Sequence, residues 1–119
     1  MGDFKKLHVW QYAKDIVVKI YKLTQSTGIS KDFGLKDQLQ RAAVSIPANI
    51  AEGDELDTNR QSIKHFYISK GSVAELHTLL IIANEIKYID SDTMMTLCND
   101  CSIISAMLNK LIKARSKPR

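Results

Sequence analysis

The sequence predicts an all-α protein, an antiparallel up-down-up-down four-helix bundle. Three observations predict it. Apolar residues recur at intervals of three and four through four long stretches. No stretch alternates apolar and polar residues between turn signals, so no strand is expected. The connections between the stretches are short, which makes successive helices antiparallel neighbours. With 119 residues, the chain is expected to form one domain spanning residues 1–119.

The first helix is expected over 8–27. Val9, Tyr12, Ala13, Ile16, Val17, Ile20 and Leu23 form its apolar stripe, and Gly28 suits a C-cap. The second is expected over 31–52, with Ser30 as its N-cap. Pro47 lies inside it. Proline removes the donor for the Ala43 carbonyl and crowds that turn, so a kink is expected. The alternative is a break, with Ser45 capping a new helix and Pro47 in its first turn. The spacing of Leu39, Ala42, Ala43, Ile46 and Ile50 crosses the proline without a phase change and favours one kinked helix.

The third helix is expected over 58–87, opened by the capping box of Thr58 and Gln61. Gly71 inside it predicts close approach of another backbone. Leu79–Ala83 is apolar nearly all round, so this segment needs cover on two sides, from the bundle or from another subunit. The fourth helix is expected over 91–115, capped by Asp90, Ser91 or Asp92. Met94, Leu97, Cys98, Cys101, Ile104, Leu108, Leu111 and Ile112 make the cleanest stripe in the chain.

The net charge is +4, and it is unevenly placed. Five of the 17 basic residues, Lys110, Lys113, Arg115, Lys117 and Arg119, fall in the last ten positions, where there is no acid. The rest of the chain carries 12 basic residues against 13 acidic ones, so the body is close to neutral. A basic tail attracts phosphates by non-specific electrostatics, and basic residues also suit a helix C-terminus. No apolar run reaches the ~18 residues of a membrane span, and the first residues lack the apolar core of a secretory signal. A cytoplasmic protein with reduced thiols is the expectation.

Few residues suggest chemistry. Cys98 and Cys101 spell CxxC, but no second ligand pair follows and no strand precedes, so both read as small core residues. His8, His65 and His77 have no metal-ligand spacing. No metal and no cofactor are expected. Ser45 has no histidine near it along the helix, and no set of acid, base and nucleophile is assembled, so an enzyme is not expected. The unusual set is a polar row, Gln38, Arg41, Ser45, Asn49 and Glu52, at spacings of 3, 4, 4 and 3 on one helix face. It reads either as a helix–helix polar network or as a contact face for RNA or protein, with Arg41 donating hydrogen bonds to phosphate or base edge and Asn49 as a base-edge or backbone partner.

Whole motifs also resemble a known family. Leu7-His8-Val9-Trp10 followed by Ala13 resembles its opening. Gly34-Leu35, Gln38-Leu39 and the run Arg41–Gly53, with Ser45-Ile46-Pro47-Ala48-Asn49, are similar to its signature. Phe66, Gly71-Ser72 and Glu75-Leu76 resemble its third helix. The chain is thereby identified as resembling the 23S ribosomal RNA intervening-sequence proteins, over residues 7–90. The resemblance implies a four-helix bundle assembled as a homo-oligomer, a pentameric ring, and a relation to the accessory protein of diversity-generating retroelements, which binds nucleic acid. The resulting expectation is a non-enzymatic, nucleic-acid-associated scaffold whose partner is RNA or DNA, with RNA favoured. Arg41, Lys64, Lys110, Lys113, Arg115, Lys117 and Arg119 are its expected contacts. The alternative is an oligomeric protein-interaction module without nucleic acid, which the near-neutral body favours.

Overall fold

The computed structural model describes residues 3–26, 28–56 and 58–116. Among them the regular structure is helical throughout. Three of the four long helices begin where a side chain takes over a backbone amide. Asp32 Oδ1 accepts from the Leu35 N–H at 3.1 Å and opens α2 (Phe33–Glu55). Thr58 Oγ1 accepts from the Gln61 N–H at 3.3 Å and opens α3 (Asn59–Glu85). Asp90 Oδ1 accepts from the Thr93 N–H at 2.7 Å and opens α4 (Ser91–Arg115). Hydrogen bonds from the Thr93 backbone and side chain hold the Asp90 carboxyl below its ordinary range. The first helix, α1 (His8–Thr24), has no side-chain cap. A 3-10 turn at Phe4–Lys6 leads into it, pinned by an edge-to-face contact between Phe4 and Trp10 at 5.2 Å.

The boundaries differ from the sequence reading where α1 passes to α2. The expected end of α1 at Thr27 lies outside the described residues; the described helix ends at Thr24, with Gln25 as its C-cap. Gly28 is not that cap. It starts a 3-10 turn, Gly28–Lys31, and a Cβ there would collide with the Tyr88 ring. Ser30 does not cap α2, because the turn displaces the helix start to Asp32. Asp32 is doubly used: its Oδ2 also accepts from the Tyr88 hydroxyl at 3.1 Å. That bond raises the Tyr88 pKa above its ordinary value. Lys87 takes the left-handed conformation, φ 67°, in the turn between α3 and α4.

Helix α2 runs through Pro47 as a single element, so the break at Ser45 does not occur. It continues three residues beyond the expected end at Glu52. The apolar stripes of the four helices meet in one core. Ile16, Ile20, Leu39, Ile46, Phe66, Leu76, Leu80, Ile104 and Leu108 are fully buried there. Each such side chain stabilises the fold by roughly 1.5–3 kcal/mol. The bundle measures 50 × 20 × 20 Å. Its most extensive interface lies between α2 and α3 and its sparsest between α1 and α4. The Lys19–Asp100 ion pair, 2.9 Å, crosses that sparse seam.

The outer side of the Leu79–Ala83 segment is not covered within the chain. Leu79, Leu80 and Ala83 are buried, whereas Ile81 and Ile82 are each 41% exposed. Gly71 is also outward: a Cβ there would meet nothing within 4 Å. The close approach predicted for Gly71 is made by Gly53 instead, against Phe66 and Ser62.

Candidate nucleic-acid interface

The polar row of α2 divides into an inner and an outer part. Ser45 and Asn49 turn to α3 and join a hydrogen-bonded ladder. Ser72 Oγ donates to Ser45 Oγ at 2.8 Å. Asn49 Nδ2 donates to Ser45 Oγ at 3.0 Å and to the Ser45 carbonyl at 2.9 Å. With its amide nitrogen so used, Asn49 presents Oδ1 to His65 Nδ1 at 3.0 Å. That nitrogen therefore carries the hydrogen and donates. Two buried serines extend the ladder, Ser69 Oγ to the Ile46 carbonyl at 2.9 Å and Ser62 Oγ to the Gly53 carbonyl at 2.6 Å. Glu52 lies at the rim, its Oε2 3.8 Å from His65 Nδ1.

Gln38 and Arg41 face solvent. The Arg41 side chain is 79% exposed and pairs with Asp37 at 2.9 Å, one turn earlier on the same helix. Asn49→Ala is thus expected to cost about 1–2 kcal/mol, because His65 Nδ1 loses its hydrogen-bond partner and Ser45 keeps only Ser72. Arg41→Ala should stay within about 0.5 kcal/mol. Urea denaturation of the two variants measures the difference.

The ladder brings a serine and a histidine to one interface, which sequence spacing did not reveal because His65 arrives from another helix. The amide of Asn49 stands between them. Ser45 Oγ receives hydrogen bonds from Asn49 and Ser72, and His65 uses its Nδ1–H on Asn49. No base takes the Ser45 proton in this arrangement, so the geometry is that of a packing network, not of nucleophilic catalysis. Cys98 and Cys101 are buried free thiols. Burial raises the Cys98 pKa and pushes that of Cys101 up to about 12, which leaves little thiolate for metal or redox chemistry. Among the described residues no group of three or more His, Cys, Asp or Glu is arranged to hold a metal ion.

Seven of the described cationic side chains lie at one end of the bundle, against the acids Asp3, Glu52, Asp54 and Glu55, so this end is net positive. The antiparallel order places the end of α4, the starts of α1 and α3 and the end of α2 together. Lys110 and Lys113 of α4, Arg60 and Lys64 of α3, and Lys5 and Lys6 of the leading turn are there, all exposed. Arg60 and Lys64 sit at the start of a helix with no acid in its first turn, where positive charge opposes the helix dipole. Arg115 is at this end but is not free. Its Nη2 donates to Asp54 Oδ1 at 2.7 Å, and its guanidinium lies 5.5 Å from the centre of the Phe66 ring. It is a strut between α4, α2 and α3, its guanidinium already engaged within the chain. Arg41 lies near the start of α2, toward the other end. Lys117 and Arg119 fall outside the described residues.

Among the described residues no helix is long and apolar enough to cross a membrane. No curated protein matches the sequence. Among solved structures the chain is similar to a protein of unknown function from the S23 ribosomal protein family of Bacteroides thetaiotaomicron VPI-5482, solved by crystallography. The two are 25% identical, with a TM-score of 0.81, over 88% of this chain and 98% of that one. The family model of the 23S rRNA-intervening sequence protein matches residues 5–110. That match takes in the described elements from the first turn to most of α4, and the chain belongs to the 23S rRNA-intervening sequence protein family.

Proposed function

We propose that the protein is a non-enzymatic, homo-oligomeric scaffold that associates with RNA through the basic end of its bundle. The observation that carries this is the convergence of lysines and arginines from the leading turn, α3 and α4 on one end of a body that is otherwise near neutral. Such a surface attracts a phosphate backbone and releases counterions when it binds. The family's name links its members to the intervening sequence of 23S rRNA, and RNA is the nucleic acid chosen on that association.

Assembly is supported by apolar surface left open along the bundle. Ile81 and Ile82 on α3 and Ile86 at its C-cap are 41–48% exposed. A second, separate surface is a groove of about 330 Å³ between α1 and α2, lined by Trp10, Val17, Val18, Val44 and Pro47. Two different apolar faces on one chain suit a head-to-tail arrangement, which closes into a ring such as the pentamer implied by the family resemblance. Light scattering tests this: a species of 13.4 kDa, the single chain, would contradict it.

Titration against structured RNA at two salt concentrations tests the RNA reading. Binding is expected at ~50 mM salt and weakens steeply as salt rises. Replacing Lys110 and Lys113 with glutamine should flatten that dependence, by about 0.7–0.9 in the log–log slope for each phosphate no longer neutralised. Absence of binding at low salt would leave the second reading, an oligomeric protein-interaction module, which the apolar faces favour by themselves.

A further inference from the structure

The outer face of α3 changes character near Gly71. Beyond it lie the exposed isoleucines 81, 82 and 86. Before it the exposed row is Arg60, Lys64 and Tyr67, spaced 4 and 3, with Lys70 one turn further on. Tyr67 is 56% exposed, and lysines three residues away flank it on both sides. None of the ion pairs among the described residues uses Arg60, Lys64 or Lys70.

Tyr67 also has an open flank. The residue one turn ahead of it is Gly71, where a side chain would meet empty space. A glycine there costs the helix ~1 kcal/mol relative to alanine and serves no packing inside the chain. Its effect is to leave that side of the tyrosine uncovered.

Next to this row is a groove of about 380 Å³ between α3 and α4. Lys70, His77, Ser102, Ser105 and Asn109 supply its polar lining: an amine, an imidazole, two hydroxyls and an amide. Lys70 belongs to both the row and the groove. Cations, an exposed aromatic ring and a groove of small hydrogen-bonding groups therefore adjoin on one surface.

We infer that this surface binds an unpaired stretch of RNA, with phosphates on Lys64 and Lys70, a base stacked on Tyr67, and sugar or base edges in the groove beside Asn109. A duplex offers phosphates to the lysines but no free base face to the ring, so the aromatic part of the surface discriminates unpaired from paired RNA. The inference rests on the proposed association with RNA and specifies the class of RNA.

The test compares binding of a short single-stranded RNA and of the same sequence as a duplex, by fluorescence anisotropy at low salt. The proteins are the wild type, Tyr67→Ala and Tyr67→Phe, each checked for folding by circular dichroism. The wild type is expected to favour the single strand. Tyr67→Ala should lose about 5- to 150-fold in affinity for the single strand, the range for removing one stacking side chain, and keep its affinity for the duplex. Tyr67→Phe should retain both. If the wild type binds duplex as well as single strand and Tyr67→Ala changes nothing, this inference falls and the RNA scaffold stands. If the wild type binds neither RNA, both fall. If light scattering shows that Tyr67→Ala dissociates the oligomer, the ring belongs to an interface between copies and the inference is overturned.

Discussion

Arg115→Ala is expected to destabilise the bundle by about 3 kcal/mol, more than removal of an ordinary surface arginine. The reason lies with the partner left behind. Asp54 is 3% exposed, and its second carboxylate oxygen is buried without a hydrogen-bond partner. Removing the guanidinium strands that charge in the interior, which costs about 3–5 kcal/mol for a fully buried pair. The Arg115 side chain keeps 27% of its exposure, which places the expected cost at the lower end. Asp54→Leu combined with Arg115→Ala should recover most of the stability, since no charge is then left unpaired. Urea denaturation of the single and double variants measures both. A cost below ~1 kcal/mol for Arg115→Ala would show that the pair does not hold the end of α4.

Gly53→Ala is expected to destabilise by about 2–3 kcal/mol, although alanine is the better helix former. A Cβ at this position would stand 2.7 Å from Phe66 Cε1 and 3.0 Å from the Ser62 carbonyl oxygen. Neither neighbour yields easily. Phe66 is fully buried, and the Ser62 atom is backbone. Gly71→Ala should do the reverse and stabilise by about 1 kcal/mol, since its added methyl meets nothing. Thermal or urea denaturation of the two variants should show opposite signs for one substitution type in neighbouring helices.

These glycines show how far the sequence could be read. Periodicity located four helices because each buries a stripe at a spacing of three and four. Thr58 and the bounds of α4 were legible because capping is a local interaction. The start of α2 was not, because Ser30 has a cap's chemistry but the cap is made by Asp32, which also serves Tyr88 from distant sequence. Gly71 looked like the close-packing glycine because it interrupts a long helix, but which glycine a neighbour approaches depends on tertiary placement. Arg115 looked like part of a basic tail because its acidic partner lies 61 residues away. The polar row is legible as a set, and only its pairing with His65 and Ser72 separates its structural members from Gln38 and Arg41.

The ladder between α2 and α3 has a consequence for alignment. Apolar stripes alone are forgiving, since two helices can slide past each other by two turns and still match leucine to isoleucine. Ser62 and Ser69 are seven residues apart, and so are the carbonyls they bond, Gly53 and Ile46. A slide of two turns keeps at most one of those bonds, and a slide of one turn keeps neither. The same slide moves Phe66 off Gly53, onto a position that has a side chain. The register of the central hairpin is therefore encoded by two hydroxyls and one missing methyl rather than by its apolar core.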